Sequence, residues 1–172
     1  MIEINDFSNL SGLPSSVDTS KLLTGFSVSG TKLKSNTIKR KETTSGYMKV
    51  TLATAGTVTI NYTISSEPNY DYGACWITDS ATVPANTSTT NRILYTSGAS
   101  TSTVTKSLTA GTWYIHFKYF KDASSSRNDD CLYINSISLP VDMDRHFMKI
   151  NGAWVQAKNL YAKVNGAWVK SY

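Results

Sequence analysis

Helical periodicity is the first thing this sequence lacks. No window of its 172 residues keeps apolar side chains at a 3.6-residue spacing, which excludes a helical bundle or a coiled coil. The one helical expectation is a turn or two near Val17 to Leu23, where Asp18 suits a cap. Histidine is scarce. His116 and His146 are the two in the chain, and neither stands near a nucleophile motif, so a histidine-based active site is not predicted. Cysteine is equally scarce. Cys75 and Cys131 have a spacing that fits no metal motif, and buried free thiols are expected, with a disulfide between neighbouring strands as the competing reading. No stretch approaches the about 18 apolar residues that a membrane-spanning helix needs. The start, MIEINDFSNL, has neither the basic residues nor the apolar run of a signal peptide. The expectation is a soluble chain made in a cytoplasm, with no membrane partner.

What is present favours strands. Hydrophobic residues make up 40% of the chain and aromatics 11%, enough for one core, and the Tyr, Ser and Thr content suits strands and short turns. The clearest stretch runs from Gly111 to Leu139. In residues 112–120, Trp113, Ile115, Phe117 and Tyr119 alternate with Tyr114, His116, Lys118 and Phe120, a period of two. Residues 131–139 alternate again, Leu132, Ile134, Ser136 and Ser138 against Cys131, Tyr133, Asn135, Ile137 and Leu139. The polar connection between them, Lys121 to Asp130, is too long for a tight hairpin. These two strands are expected to form the spine of a β-sandwich.

Further strands are predicted at 25–29, 32–38, 46–53, 57–64, 73–78, 91–96 and 102–108. Residues 46–53 and 57–64, with Gly56 at the turn, read as a hairpin. Strands at this spacing argue an all-β fold, an antiparallel two-sheet sandwich. Residues 1–24 read as an N-terminal arm, 25–140 as the sandwich and 141–172 as a small C-terminal β-hairpin appendage. The net charge of +5 is concentrated in Lys32, Lys34, Lys39, Arg40 and Lys41. That cluster lacks interleaved aromatics, so it reads as an edge strand protected by lysines and not as a nucleic-acid surface.

The tail repeats itself. Lys149-Ile150-Asn151-Gly152-Ala153-Trp154 is echoed by Lys163-Val164-Asn165-Gly166-Ala167-Trp168. Asn-Gly between apolar residues is a strong hairpin signal, because a type I′ turn needs positive φ at both positions. Counting outward from each turn pairs Lys149 with Trp154 and Lys163 with Trp168. Hairpins this short need something to dock on, so these four residues are the candidate assembly contacts.

Two resemblances follow from quoted residues. Ser65, Ser66, Glu67, Asn69, Tyr70 and Asp71 (SSE-x-NYD) are followed by Tyr119, Lys121, Asp122, Ser124 and Ser126, then by Asp130, Tyr133, Ile134, Ile137, Leu139 and Pro140. Together they resemble bacterial and phage jelly-roll modules related to carbohydrate-binding and MAM-like domains. Asn128 and Asn135 stand where that pattern favours Gly and Asp. The tandem tail of residues 147–172 resembles the C-terminal ends of structural proteins in tailed bacteriophages. Together the resemblances imply a jelly roll displayed on a virion, as a head decoration, a fibre or a tail-tip subunit, and in contact with other virion proteins or further copies of itself. The alternative they imply is an adhesin that binds host-surface glycan.

The first resemblance would bring Glu67, Asp71, Asp122 and Asp130 to neighbouring loops. The favoured reading is that Glu67 or Asp71 pairs with Lys121 or Arg127 and pins those loops. A Ca²⁺ site, which needs six or more oxygens, and a carboxylate pair for glycoside cleavage are the weaker readings. No other cofactor and no enzymatic activity are expected. If Trp113, Ile115, Phe117 and Tyr119 fill the core, then Trp76, Tyr114, His116 and Phe120 face outward and offer stacking surfaces for sugar rings. The competing reading has the N-terminal arm, the tail hairpins or a neighbouring subunit covering that face.

Overall fold

A computed structural model describes residues 1–123 and 129–141 in full, together with the backbone of four short strands between 147 and 170. In chain order the strands are β1 (Ile2–Ile4), β2 (Val17–Asp18), β3 (Phe26–Ser29), β4 (Lys32–Ser35), β5 (Thr43–Leu52), β6 (Gly56–Ser65), β7 (Tyr72–Thr78), β8 (Arg92–Thr96), β9 (Ala99–Leu108), β10 (Gly111–Phe120) and β11 (Cys131–Leu139). The tail adds β12 (Phe147–Ile150), β13 (Ala153–Gln156), β14 (Tyr161–Val164) and β15 (Ala167–Lys170). A single 3-10 turn, Leu22–Thr24, is the only helical element among the described residues, and no helix there is long and apolar enough to cross a membrane. The Asp18 carboxylate accepts the Ser20 N–H at 2.8 Å, just ahead of that turn.

Two antiparallel sheets face each other as a jelly-roll sandwich. The first has the order β3-β4-β11-β6-β9, with β1 added against β11; the second has the order β2-β5-β10-β7-β8. The two spine strands are therefore central, β11 in the first sheet and β10 in the second. Between β1 and β11 every connection crosses from one sheet to the other, except β3–β4 and β7–β8. This corrects the hairpin expected over 46–64. β5 pairs with β10 and β2, and β6 pairs with β11 and β9. Met48, Val50 and Leu52 on one strand and Val58, Ile60 and Ile64 on the other are all buried. Splitting the strands between sheets lets both apolar rows meet across the core.

Ile115, Phe117 and Tyr119 of β10 are fully buried, and Phe117 meets the Phe26 ring edge-on at 6.2 Å. β11 departs from strict alternation. Its register against β6 shifts between Ile134 and Ser136, a β-bulge at Asn135 that reverses the facing of the residues beyond it. Leu132, Ile134, Ile137 and Leu139 are consequently all buried.

Residues 1–24 are part of the sandwich and not an arm. β1 pairs with β11, β2 pairs with β5, and Ile2, Ile4, Phe7, Val17 and Leu22 lie in the core. Gly46 makes room for this. A Cβ there would sit 2.2 Å from the Leu22 carbonyl oxygen. The lysine-bearing strand is not an edge either. β4 lies between β3 and β11, and Lys32 and Lys34 sit over the Tyr133 ring at 5.9 and 5.5 Å. Cys75 and Cys131 are buried free thiols, and burial pushes both thiols above their ordinary range.

In the tail, β12 pairs with β13 and β14 with β15, each as a separate two-stranded sheet. Their registers set Lys149 opposite Trp154 and Lys163 opposite Trp168, as counted from the Asn-Gly turns. The side chains of these four residues lie outside the described set.

Candidate functional site

The outer face of the second sheet carries the aromatic residues singled out by alternation, and it is divided in two by a strap. The strap is the connection from β7 to β8, residues 79–91, which runs back across the sheet and is tied down at four points. His116 Nε2 donates to the Ser80 carbonyl at 2.9 Å, and Lys118 Nζ donates to the Pro84 carbonyl at 2.7 Å. Trp76 Nε1 donates to the Ser88 carbonyl at 3.0 Å, and Asn86 Nδ2 donates to Thr43 Oγ1 at 3.2 Å.

Trp76 and His116 therefore face out from their strands, as alternation required, yet both are 0% exposed. Neither is an open stacking surface. The cover is not the N-terminal segment but the Ser/Thr/Pro-rich loop of β7–β8 itself. The loop brings backbone carbonyls, and each polar tip beneath it supplies a donor. This satisfies groups that would otherwise be costly to bury.

Under the strap, Lys118 lies over the Trp76 ring at 5.6 Å, and burial pushes its ammonium below the ordinary lysine range. Burial also holds the His116 imidazole below its ordinary value of 6.5, with the Lys118 charge adding to the effect and the Ser80 hydrogen bond opposing it. Nε2 carries the proton given to Ser80. Nδ1 is buried without a hydrogen-bond partner among the described residues. Tyr47 and Tyr114 flank the ring at 5.4 and 6.4 Å.

The neutral form is thus favoured by folding, so the unfolded chain takes up the proton first. Stability is expected to be full above about pH 6.5 and to fall as the pH drops from there toward the lowered folded value. The loss is at most about 1.4 kcal/mol for each pH unit between the two values. Denaturant unfolding of the wild type and His116→Gln across about pH 8 to pH 5 checks this, and the variant should lack this component of the slope.

On one side of the strap the rings reach solvent. Tyr72, Tyr95 and Phe120 form a cluster: Tyr72 stacks on Tyr95 at 4.4 Å between centroids and on Phe120 at 5.9 Å. Tyr95 is 43% exposed. The Arg92 guanidinium lies over the Tyr95 ring at 4.1 Å. A register shift between β7 and β8 makes this possible. Cys75 pairs with Leu94, and Trp76 pairs with Arg92, so the bulge at Ile93 turns Arg92 to the same side as Tyr95. On the far side of the strap, Tyr114 packs edge-on against Tyr47 at 5.7 Å. Of the four aromatic candidates, Phe120 belongs to the solvent-facing cluster, Tyr114 stands apart from it, and Trp76 and His116 lie beneath the strap.

Sequence reasoning missed Tyr72, Tyr95 and Arg92. Tyr95 follows the buried Leu94 and Tyr72 precedes Ala74 and Trp76 at even spacing, so both were readable as outward. The bulge that recruits Arg92 was not.

The acidic candidates gather at the turn from β10 to β11. Asp71 Oδ2 lies 3.9 Å from Lys121 Nζ, Asp130 contacts the same ammonium, and Asp71 Oδ1 accepts the Asp122 N–H at 3.1 Å. Glu67 enters through its carbonyl, which accepts the Asp71 N–H at 3.2 Å. No group of three or more His, Cys, Asp or Glu side chains among the described residues is disposed to hold a metal ion.

No protein-family model matches the chain, and no curated protein matches it. Among solved structures it is similar to the K3 cleaved adhesin domain of Lys-gingipain from Porphyromonas gingivalis w83, at 16% identity and a TM-score of 0.47, over 79% of this chain and 97% of that one. It is also similar to CBM35 from Cellvibrio japonicus Abf62, at 17% identity and a TM-score of 0.39, over 81% and 94% of the two chains. A family 35 carbohydrate binding module from an environmental isolate aligns at 18% identity with a TM-score of 0.36, over 80% and 96%.

Proposed function

We propose that the chain is a non-catalytic binding module that holds carbohydrate on the outer face of its second sheet, at the ledge of Tyr72, Tyr95 and Phe120 beside Arg92. The observation that carries this reading is the stacked ring cluster left open to solvent, with Tyr95 43% exposed. A sugar ring presents C–H groups on its faces and hydroxyls around its edge. The solvent-facing side of the ring cluster matches the first, and the Arg92 N–H groups with the tyrosine hydroxyls match the second. The ledge is small and its rings are pre-stacked, so little side-chain freedom is lost on binding. Host-surface glycan is the ligand class this suits.

Screening against a glycan array, followed by titration calorimetry with the retained sugars, tests the reading. Tyr95→Ala is expected to weaken binding by at least about tenfold, near 1.4 kcal/mol, while Tyr114→Ala leaves it unchanged. A wild-type chain that retains no sugar, or equal losses from both variants, removes the assignment.

The tail favours a second, compatible reading: a component of a tailed-phage particle, joined to other virion proteins or to further copies of this chain. The supporting observation is that Lys149 stands opposite Trp154, and Lys163 opposite Trp168, in two separate two-stranded ladders. Ladders of this size are marginal alone. Light scattering on the same samples separates the roles. Oligomers lost on removal of residues 147–172, with sugar affinity intact, assign assembly to the tail.

A further inference from the structure

The turn between the two central strands contains a lysine–aspartate pair that sugar binding does not use. Lys121 directly follows β10 and Asp130 directly precedes β11, so the two side chains come from strands of different sheets. Lys121 Nζ lies directly against Asp130 Oδ2. The Tyr119 hydroxyl donates to the other oxygen, Oδ1, at 2.8 Å. On the opposite flank Asp71 Oδ2 is 3.9 Å from Nζ. The side chains of Lys121 and Asp71 are 2% and 1% exposed, and that of Asp130 is 17% exposed. Asp71 Oδ2 has no hydrogen-bond partner among the described residues.

The backbone fixes these positions. Lys121 N–H donates to the Glu42 carbonyl at 3.1 Å, and Lys41 N–H donates to the Asp122 carbonyl at 2.7 Å. Asp129 N–H donates to Ser65 Oγ at 3.1 Å. Asp130 is held at φ +57°, a left-handed conformation that Asp tolerates better than most residues.

We propose that Lys121 and Asp130 condense to an intramolecular isopeptide bond, with Asp71 as the carboxyl that carries protons between them. An ammonium and a carboxylate do not react in water, because the nitrogen lacks a free lone pair and the carboxylate carbon is a poor electrophile. Here the pair is largely withdrawn from solvent, where two charges are costly to keep. Passing one proton from Lys121 Nζ to the Asp130 carboxylate leaves a neutral amine and a neutral acid in contact. The Nζ lone pair then attacks Asp130 Cγ, and the Nζ–Cγ bond forms as charge gathers on Oδ1, where the Tyr119 hydroxyl donates. Asp71 hands a proton to Oδ2 and receives one from the nitrogen. The Cγ–Oδ2 bond breaks and one water leaves. Amine and acid become amide and water, Asp71 ends as it began, and no oxidant or other reactant is consumed.

Burial pushes the Asp71 carboxyl above its usual range, against the Asp122 N–H and the Lys121 charge, which act the other way. That favours the protonated form the step requires. Contact enforced by the fold supplies the proximity that makes such a slow condensation feasible.

The intact mass of the denatured full chain tests this. The wild type is expected to weigh less than its sequence by one water, about 18 Da. Digestion should yield a branched peptide joining Lys121 to Asp130, with no tryptic cleavage after Lys121. Lys121→Arg and Asp71→Asn should each restore the full sequence mass, and circular dichroism should show Asp71→Asn still folded. A wild-type chain at full sequence mass overturns the proposal, as does a water loss that maps to any other pair. An Asp71→Asn chain that still loses water overturns the role given to Asp71.

Discussion

A chain that begins at residue 25 is expected not to fold cooperatively. The missing segment buries Ile2, Ile4, Phe7, Val17 and Leu22. At about 1.5–3 kcal/mol for each large side chain, their loss rivals the whole stability of an ordinary domain, about 5–15 kcal/mol. Burial on this scale is an upper bound, because the unfolded chain already hides some apolar surface. Two further losses act in the same direction. β11 gives up the partner that pairs with Ile137 to Leu139, and β5 gives up its partner at Lys49 and Val50. The Leu22 backbone that packs against Gly46 also disappears, leaving a gap beside that glycine. Near-ultraviolet circular dichroism during thermal unfolding checks the outcome. A sharp transition at the wild-type temperature would show the segment to be dispensable.

Trp76→Ala is expected to cost about 3–5 kcal/mol, the range for deleting a large buried aromatic. Trp76 ranks first by volume among the fully buried side chains of the described residues. It fills the space between the second sheet and the strap, and it anchors the strap through Ser88. Removing it also strips the ring from beneath the Lys118 ammonium. Trp76→Phe should cost less, because it keeps much of the volume and loses mainly the Ser88 hydrogen bond, worth about 1 kcal/mol. Denaturant unfolding separates the two variants, and faster proteolysis within residues 79–91 of Trp76→Ala would show the strap released. Equal midpoints for wild type and Trp76→Ala would mean that the strap is not held through this residue.

The spine was legible because β10 obeys a strict period of two from Trp113 to Phe120, which needs no knowledge of its partners. The tail ladders were legible for a similar reason, since Asn-Gly fixes register locally. Partners were harder. β5 and β6 each show one apolar row, and the three residues between them allow a hairpin or a corner equally well. Only the need to fill a shared core chooses the corner. Asn135 hid a bulge, which alternation cannot reveal because a bulge breaks the count it relies on. The N-terminal strands are three and two residues long, too short for any periodic signal, and Pro14 with its Ser and Gly neighbours made the region look like loop. At the site, facing was readable and exposure was not. Trp76 and His116 point outward, but nothing in a Ser/Thr/Pro-rich connection says that it will fold back and cap donors with its carbonyls.

The position of β11 has a consequence in time. It is the last strand of the sandwich to be synthesised, yet β1, β4 and β6 all pair with it. A ribosome must therefore release nearly the whole sandwich before the first sheet can close. Until then β1, β4 and β6 wait with open edges and apolar rows. Assembly by such distant closures is slow and leaves the nascent chain prone to mispairing with its neighbours. The mature protein owes its interlocked sheets to this late insertion, and cells that make it in quantity would benefit from chaperones during that interval.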